Sequence, residues 1–213
     1  HERTLDVDSP RDYIAKFLIA SRDDPTLNKD NLLFCCLDLF IGGSETTSKS
    51  LMYALVMMLR HPEAHDKVAE EIARVTGYRD RVTLADRDDL PITEATLNEV
   101  WRFCNVVPIP PPRKLSTPIK RGNYEIPGQT MLMTSSYSVH MDSQYWKDPE
   151  SFRPDRFLHG GKCTPDERNI PFGIGKRRCL GETLARMENF LFFANLMKHF
   201  SFRCVEGSDP PDT

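Results

Sequence analysis

The 213-residue sequence lacks the marks of several common protein classes. Its formal net charge is −3, so it has no overall excess of positive charge with which to hold a polyanion, and we predict no nucleic-acid partner. Its most apolar uncharged run, residues 50–59, is far shorter than the roughly 20 residues that a membrane-spanning helix needs. A hydrophobic content of 39% beside 28% charged residues, without low-complexity tracts, is typical of a globular protein with a core.

The cysteines lack the spacing of a metal or redox site. No two of the six form a Cys-x-x-Cys pair, and no His–Cys spacing indicates zinc. A chain of this size does not need disulfides to stabilise its core, so we interpret all six as reduced thiols. They are Cys35, Cys36, Cys104, Cys163, Cys179 and Cys204.

Helical periodicity dominates what is present. The longest helical pattern covers residues 29–60, although two adjacent glycines near its centre each cost roughly 1 kcal/mol in a helix and therefore suggest a bend or a close contact. Further helices are predicted at residues 12–20, 62–76, 84–89, 92–103 and 180–200. Alternating residues between 120 and 134 predict short strands, and another strand is predicted at 202–205. We expect a mainly α fold with a minor β-sheet, as a single domain over residues 1–213.

A short glycine-rich loop before the last helix carries the most specific signal. The stretch "FGIGKRRCLG" (residues 172–181) fits the pattern F-x-x-G-x-R-x-C-x-G, which chance produces on the order of 10⁻⁷ times per position. A thiolate donates strongly to haem iron, and the free amide groups at a helix N-terminus stabilise a negative sulfur. The loop resembles the haem-ligand loop of the cytochrome P450 family. The alternative is a buried structural cysteine beside an anion-binding loop.

The resemblance implies a role for each residue of the motif. Cys179 would be the axial ligand of the iron in haem b (iron protoporphyrin IX), and Phe172 would shield its sulfur. Gly175 and Gly181 would let the backbone pass close to the flat macrocycle, and Arg177 would pair with a propionate.

The segment "GGSETT" (residues 42–47) resembles the bent centre of the helix that crosses the distal haem face in this family. The resemblance places Gly43 beside the cofactor and Gly42 beside the substrate. Thr46 and Glu45 would form a proton relay for oxygen activation. A plain helix kink with a cap-like Ser/Thr run is the alternative.

A third match concerns stability. In "EVWR", Glu99 and Arg102 lie three residues apart on one helical face, which taken alone is typical of a solvated surface pair. The resemblance adds Arg156, from "RPDRF", as the third member of a buried triad. We assign this triad to folding and haem retention, with no part in the chemistry.

Weaker predictions cover the surroundings of the haem. Arg113 would contact a second propionate, with an ordinary surface arginine as the alternative. Lys176 and Arg178 would receive the acidic surface of an electron donor, with solubility as the alternative. The residues predicted to line the substrate pocket, for which core packing is the alternative, are Ile41, Gly42, Val107 and Ile109.

The resemblance covers essentially the whole chain and implies a haem-thiolate monooxygenase. Such an enzyme inserts one atom of O2 into a lipophilic substrate, here steroid- or xenobiotic-like, with electrons from NADPH through a diflavin reductase. We expect an endoplasmic reticulum location on the cytosolic face, through an N-terminal anchor that this chain lacks. Family members are substantially longer, so we expect a partial domain without the early helices and the C-terminal hairpin, which holds haem poorly and is inactive alone. The alternatives are a haem-thiolate isomerase or dehydratase, which lacks the acid–alcohol pair, and a non-enzymatic haem sensor.

Overall fold

A computed structural model describes residues 4–205 and 207–211. The chain divides into two compact units, residues 1–46 and 47–213. The helices are α1 (Tyr13–Ala20), α2 (Lys29–Arg60), α3 (Pro62–Thr76), α4 (Pro91–Cys104), α5 (Ser136–His140) and α6 (Glu182–His199). The 3₁₀ turns include Leu84–Asp89, Pro154–Phe157 and Gly175–Arg177. The strands are β1 (Arg113–Lys114), β2 (Ile119–Arg121), β3 (Tyr124–Ile126), β4 (Met131–Leu132), β5 (Leu158–His159) and β6 (Lys162–Cys163).

The strands form three small antiparallel pairs, β1 with β4, β2 with β3, and β5 with β6. Each is a two-stranded ribbon, in which Arg113 lies opposite Leu132 and Lys120 opposite Glu125. A mainly α fold with minor β structure is therefore confirmed.

In the first unit, α1 begins where Asp12 caps it, since the Asp12 carboxylate accepts the amide N–H of Ala15 at 2.8 Å. Helix α2 begins at Lys29 and continues through Gly42 and Gly43 without an interruption. The intrinsic cost of two glycines is thus outweighed by the rest of this long helix.

In the second unit, α4 is the central element, and every residue from 93 to 102 is buried. It packs against α3, α6 and the turn Pro154–Phe157. The apolar core around it includes Met57, Met58, Val68, Ile72, Leu97, Val100, Phe190, Phe193 and Ala194. This arrangement places the residues of "EVWR" inside the core and not on a solvated face.

The start of α4 is held by a side chain from α3. The buried carboxylate of Glu71 accepts the amide N–H groups of Ile92 and Thr93, both at 2.8 Å, and also the Thr93 hydroxyl. Pro91 occupies the first turn, where its missing N–H costs nothing. These bonds satisfy amide groups that a helix start leaves unpaired.

The structure differs from the sequence predictions twice near the end of the chain, and helix α5 (Ser136–His140) was not predicted. The last helix begins at Glu182 and not at residue 180, because Gly181 takes the capping position. The predicted strand at 202–205 is wrong, since these residues pair with no described strand. Within the described ranges, no helix combines the length and the apolar character needed to cross a bilayer. The single-domain expectation stays a prediction.

Candidate haem-binding site

Residues 171–181, called here the Cys179 loop, lead from the core to the start of α6. Gly173 and Gly175 have φ angles of +74° and +71°, in the left-handed region that side chains other than glycine rarely adopt. The Gly173 amide donates to the Ile170 carbonyl at 3.0 Å, and the Cys179 amide donates to the Phe172 carbonyl at 2.8 Å. These bonds close the backbone into a compact turn that ends at the cysteine.

Cys179 is exposed, whereas the other five cysteines are only partly exposed. Burial raises the pKa of the Cys104 thiol to about 12 and that of the Cys163 thiol to about 11, so neither forms a thiolate easily. Cys179 is therefore the thiol that the fold leaves most accessible to a ligand.

The sulfur of Cys179 lies beside the N-terminus of α6. A Cβ atom added at the capping residue Gly181 would lie 4.0 Å from the Cys179 Sγ atom, an ordinary van der Waals contact. The N-terminus of a helix carries a partial positive charge, which favours a negative sulfur. The sulfur therefore lies beside the start of α6, and its role as a ligand stays a prediction.

Three consecutive cations precede the cysteine, and all of them are exposed: Lys176, Arg177 and Arg178. Arg178 forms an ion pair with Glu182, whose other carboxylate oxygen accepts from Arg186 at 2.9 Å. Among the residues that the structure describes, Lys176 and Arg177 belong to no ion pair. Their charges are available to an external group.

Phe172, at the start of the loop, is held between α4 and α6. Its ring meets the Trp101 ring edge-on at 5.7 Å, and the Arg186 guanidinium lies 4.8 Å from Phe172 and 4.6 Å from Trp101. The Trp101 Nε1 atom donates to the Ser50 hydroxyl at 2.8 Å. Sequence reasoning missed Trp101 and Arg186, although an aromatic residue inside "EVWR" signals burial.

Glu99, Arg102 and Arg156, called here the Glu99 cluster, are brought together in the core. The Glu99 carboxylate accepts from two nitrogens of Arg102 at 2.8 Å and from the Arg156 Nε atom at 3.0 Å. It also accepts the amide N–H of Arg153 at 2.8 Å. The side chains of Glu99 and Arg102 are fully buried, and 8% of the Arg156 side chain is exposed. The role of the cluster in haem retention stays a prediction.

Both arginines of the cluster use their remaining donors on backbone carbonyls. Arg102 donates to the carbonyls of His140 at 2.7 Å and Pro149 at 2.9 Å. Arg156 donates to the carbonyls of Lys147 at 3.0 Å and Ser151 at 3.0 Å. The cluster therefore organises the chain between residues 140 and 156, which sequence spacing does not indicate.

His140 also makes contacts that its position in the sequence does not indicate. Its side chain is fully buried, and its Nε2 atom accepts the amide N–H of Ile170 at 2.9 Å. Burial, and secondarily the Arg102 charge, lowers the pKa of His140 to about 4. Sequence spacing gives no signal of this contact, because it joins α5 to a segment that lies far along the chain.

The predicted relay lies on α2. The Thr46 hydroxyl donates to the Gly42 carbonyl at 2.6 Å, one helical turn earlier. Ile41 is 63% exposed, and a Cβ atom added at Gly42 or Gly43 would meet no described atom within 4 Å. These residues belong to the first unit and Cys179 to the second, and their joint role stays a prediction.

The remaining predicted contacts lie in the second unit. Arg113 is exposed on β1, opposite Leu132. Val107 is half-buried, with its carbonyl accepting from the Ser136 hydroxyl at 3.0 Å, and Ile109 is 55% exposed. Their roles toward cofactor and substrate stay predictions.

The residues of the Cys179 loop fit a haem bound through a thiolate. The loop offers one accessible sulfur, and the apolar side chains of Ile174 and Leu180 beside it are 71% and 90% exposed. A flat apolar macrocycle would cover such side chains, and its carboxylates match the unpaired charge of Arg177. A buried structural cysteine, the alternative considered from the sequence, does not agree with the exposure of Cys179.

Comparison with known proteins gives one family. The model of the family "Cytochrome P450" matches residues 1–213. Mouse cytochrome P450 2J5 is 42% identical over 207 residues, which cover 95% of this chain and 41% of that protein. Human cytochrome P450 2U1 is 40% identical over 218 residues, covering 99% of this chain and 40% of that protein. The chain thus spans about two-fifths of the length of these relatives, and it belongs to the cytochrome P450 family.

Proposed function

We propose that this chain is the haem-binding part of a haem-thiolate monooxygenase, which inserts one oxygen atom of O2 into a lipophilic, steroid- or xenobiotic-like substrate. The observation that carries the proposal is the exposed Cys179 at the end of a closed glycine turn, beside the N-terminus of α6. A single accessible thiolate in this setting suits an axial iron ligand. The family match over the whole chain supports the same function.

The cofactor in this proposal is haem b. Bound haem supplies the iron at which oxygen is activated, with the Cys179 thiolate as its electron-rich ligand. Arg177 neutralises one propionate and Arg113 a second. Phe172, whose ring meets that of Trp101, would shield the sulfur once the cofactor is bound. These contacts would orient the cofactor.

Glu45 and Thr46 serve the proton transfers that oxygen activation requires. The Thr46 hydroxyl donates to the Gly42 carbonyl, which leaves its oxygen lone pairs free to accept a proton donor. The adjacent Glu45 carboxyl exchanges protons with water. We also assign substrate contacts to Ile41 and Gly42 and, separately, to Val107 and Ile109.

In this proposal, Lys176 and Arg178 would receive a diflavin reductase, which would supply electrons from NADPH to the bound cofactor. Both side chains are exposed beside the cysteine, where an acidic partner surface would lie close to the haem. We place the whole protein at the endoplasmic reticulum membrane, with its catalytic part facing the cytosol.

Replacing the ligand tests the central assignment. In the full-length, haem-loaded protein, Cys179→His should abolish the red-shifted carbonyl band that thiolate ligation produces. Cys204→Ser, a change at a cysteine outside the loop, should leave the band unchanged. A red-shifted band in the Cys179→His protein would refute the ligand assignment.

The relay distinguishes a monooxygenase from a haem-thiolate isomerase or a haem sensor. Thr46→Ala should bind haem normally but divert reducing equivalents from product to peroxide, whereas Thr47→Ala, the neighbouring hydroxyl on another helix face, should keep the coupling. An isomerase would turn over a peroxide substrate without NADPH, and a sensor would form no product. Equal coupling in the two variants would contradict the role of Thr46.

A further inference from the structure

His140 occupies a position between the Glu99 cluster and the start of the Cys179 loop. It is the last residue of α5, and its side chain is fully buried. Its backbone carbonyl accepts from the Arg102 Nη1 atom at 2.7 Å, while its ring Nε2 atom accepts from the Ile170 amide at 2.9 Å. One residue thus touches the cluster with its backbone and the loop segment with its ring.

The contact with Ile170 defines the protonation state of the ring. A ring nitrogen that accepts an amide N–H must carry a lone pair, so the proton of His140 lies on Nδ1 and the ring is neutral. The lowered pKa of His140, about 4, agrees with a neutral ring at physiological pH. The Nδ1 atom has no hydrogen-bond partner among the described residues. A buried polar atom without a partner costs free energy. An apolar ring would avoid this cost, but it could not accept the amide N–H of Ile170.

Ile170 is the residue just before the loop begins. Pro171, which follows it, has no amide N–H, so the Ile170 amide is the donor that attaches the chain immediately before the loop. The Ile170 carbonyl accepts the Gly173 amide at 3.0 Å. Ile170 is therefore bonded on one side to α5, through His140, and on the other side to the loop itself.

The residue before Ile170 strengthens this attachment. The Asn169 side-chain amide donates to the buried Asn98 carbonyl on α4 at 3.1 Å. Two consecutive residues are thus fixed to two different helices. Further along the loop, the Cys179 amide donates to the Phe172 carbonyl. The position of the sulfur therefore depends on where Asn169 and Ile170 hold the start of the loop.

We infer that His140 is a positioning residue for Cys179, which holds the start of the Cys179 loop through the Ile170 amide and so sets where the thiolate meets the cofactor. The inference rests on the proposed haem-thiolate function. His140 itself touches neither the cysteine nor the cofactor in this role. Its loss frees the start of the loop and weakens thiolate ligation without removing the ligand.

Two substitutions, His140→Gln and His140→Asn, distinguish a hydrogen-bonding role of His140 from a role in packing alone. In His140→Gln, the side-chain oxygen can take the place of Nε2 and accept the Ile170 amide. In His140→Asn, the side-chain oxygen lies near the place of Nδ1 and is too far away to accept the Ile170 amide. We expect hydrogen exchange of the segment 169–173 to accelerate roughly tenfold in His140→Asn and to stay near the wild-type rate in His140→Gln. His199→Gln, at an exposed histidine in α6, is the control.

The carbonyl spectrum provides the second measurement. The haem-loaded His140→Asn protein should show a reduced fraction of the red-shifted band, and His140→Gln should restore most of it. Equal exchange rates and equal spectra in the two variants would overturn the inference, and so would a global destabilisation that is the same in both. Absence of the red-shifted band in the wild-type full-length protein would instead refute the proposed haem-thiolate function, and the exchange rates would still decide the role of His140.

Discussion

The Glu99 cluster and the Cys179 loop differ in how their polar groups find partners. In the cluster, the buried Glu99 carboxylate accepts from Arg102, Arg156 and the Arg153 amide. In the loop, Lys176 and Arg177 lie exposed without an ion pair among the described residues, and the cysteine is exposed. The first region satisfies its charges within the chain, whereas the second presents them outward.

This difference separates two tasks that charged residues perform. Buried charges that are fully paired define one arrangement of the chain, because any alternative leaves a charge unpaired in the core. Exposed charges contribute little to stability but remain available to a ligand or a partner. We therefore expect substitutions in the cluster to lower the free energy of unfolding, and substitutions in the loop to alter binding.

The largest effect on stability should come from Glu99→Ala. This change leaves Arg102 and Arg156 buried without a counter-charge, which should lower the free energy of unfolding by about 3–5 kcal/mol. Urea denaturation of the haem-loaded protein measures it. Asp155→Asn, which removes the exposed ion pair between Arg153 and Asp155, is the control and should cost less than about 1 kcal/mol. Similar losses in the two variants would remove the distinction between the regions.

The second-largest effect on stability should come from acid, through His140, which contacts both the Glu99 cluster and the segment before the Cys179 loop. The pKa of His140 falls from 6.5 to about 4 in the folded protein, so the unfolded chain binds a proton in that interval and the folded chain does not. The free energy of unfolding is therefore highest above pH 6.5. It decreases as the pH falls to about 4, by about 3 kcal/mol in total. The pH dependence of urea denaturation should be shallower in His140→Gln than in wild type between these limits. Parallel curves would contradict this assignment.

A smaller effect is expected for Trp101→Phe, which keeps an aromatic ring against Phe172 but removes the hydrogen bond to Ser50. The loss should be about 1–2 kcal/mol, because a buried hydroxyl is left without its donor. In a double-mutant cycle, adding Ser50→Ala should cost less in the Trp101→Phe protein than in wild type. Additive losses would show that the hydrogen bond contributes nothing to the stability of the core beside the loop.

The smallest effect on stability should follow Lys176→Glu combined with Arg178→Glu. The Arg178 side chain is 58% exposed and, among the described residues, forms its ion pair with Glu182, so the free energy of unfolding should change by no more than about 1 kcal/mol. Turnover supported by the reductase should nevertheless fall, while turnover supported by peroxide is spared. Lys162→Glu, an exposed cation on β6, is the control. Equal loss in both assays would indicate damage to haem binding and not to docking.

The sequence predicted the elements better than their contacts. The helix over residues 29–60 was predictable despite two glycines, because its apolar periodicity extends over many turns. The strand at 202–205 was predicted wrongly, because a strand needs a neighbouring backbone, and local composition does not reveal whether one is present. The mainly α fold itself followed from periodicity alone.

Within the candidate site, short spacings were informative and long-range contacts were not. The separation of Glu99 from Arg102 predicted neighbours on one helical face, and the structure shows their ion pair. The contact of His140 with Ile170, and the placement of Arg186 over Phe172, depend on how distant segments pack. The need for glycine at 173 was also missed, since its positive φ arises from closure of the turn and not from the motif.

The range of the hydrogen bonds around the loop has a consequence for the order of folding. Arg156 reaches Glu99 across 57 residues, and Asn195 reaches Val82 across 113. The Cys179 loop, by contrast, is closed by bonds between residues near one another in sequence. Long-range contacts form slowly because chain closure must precede them, whereas short turns close within about a microsecond. The loop can therefore open and close many times on a scaffold that is already folded, so cofactor loading need not disturb the assembled core.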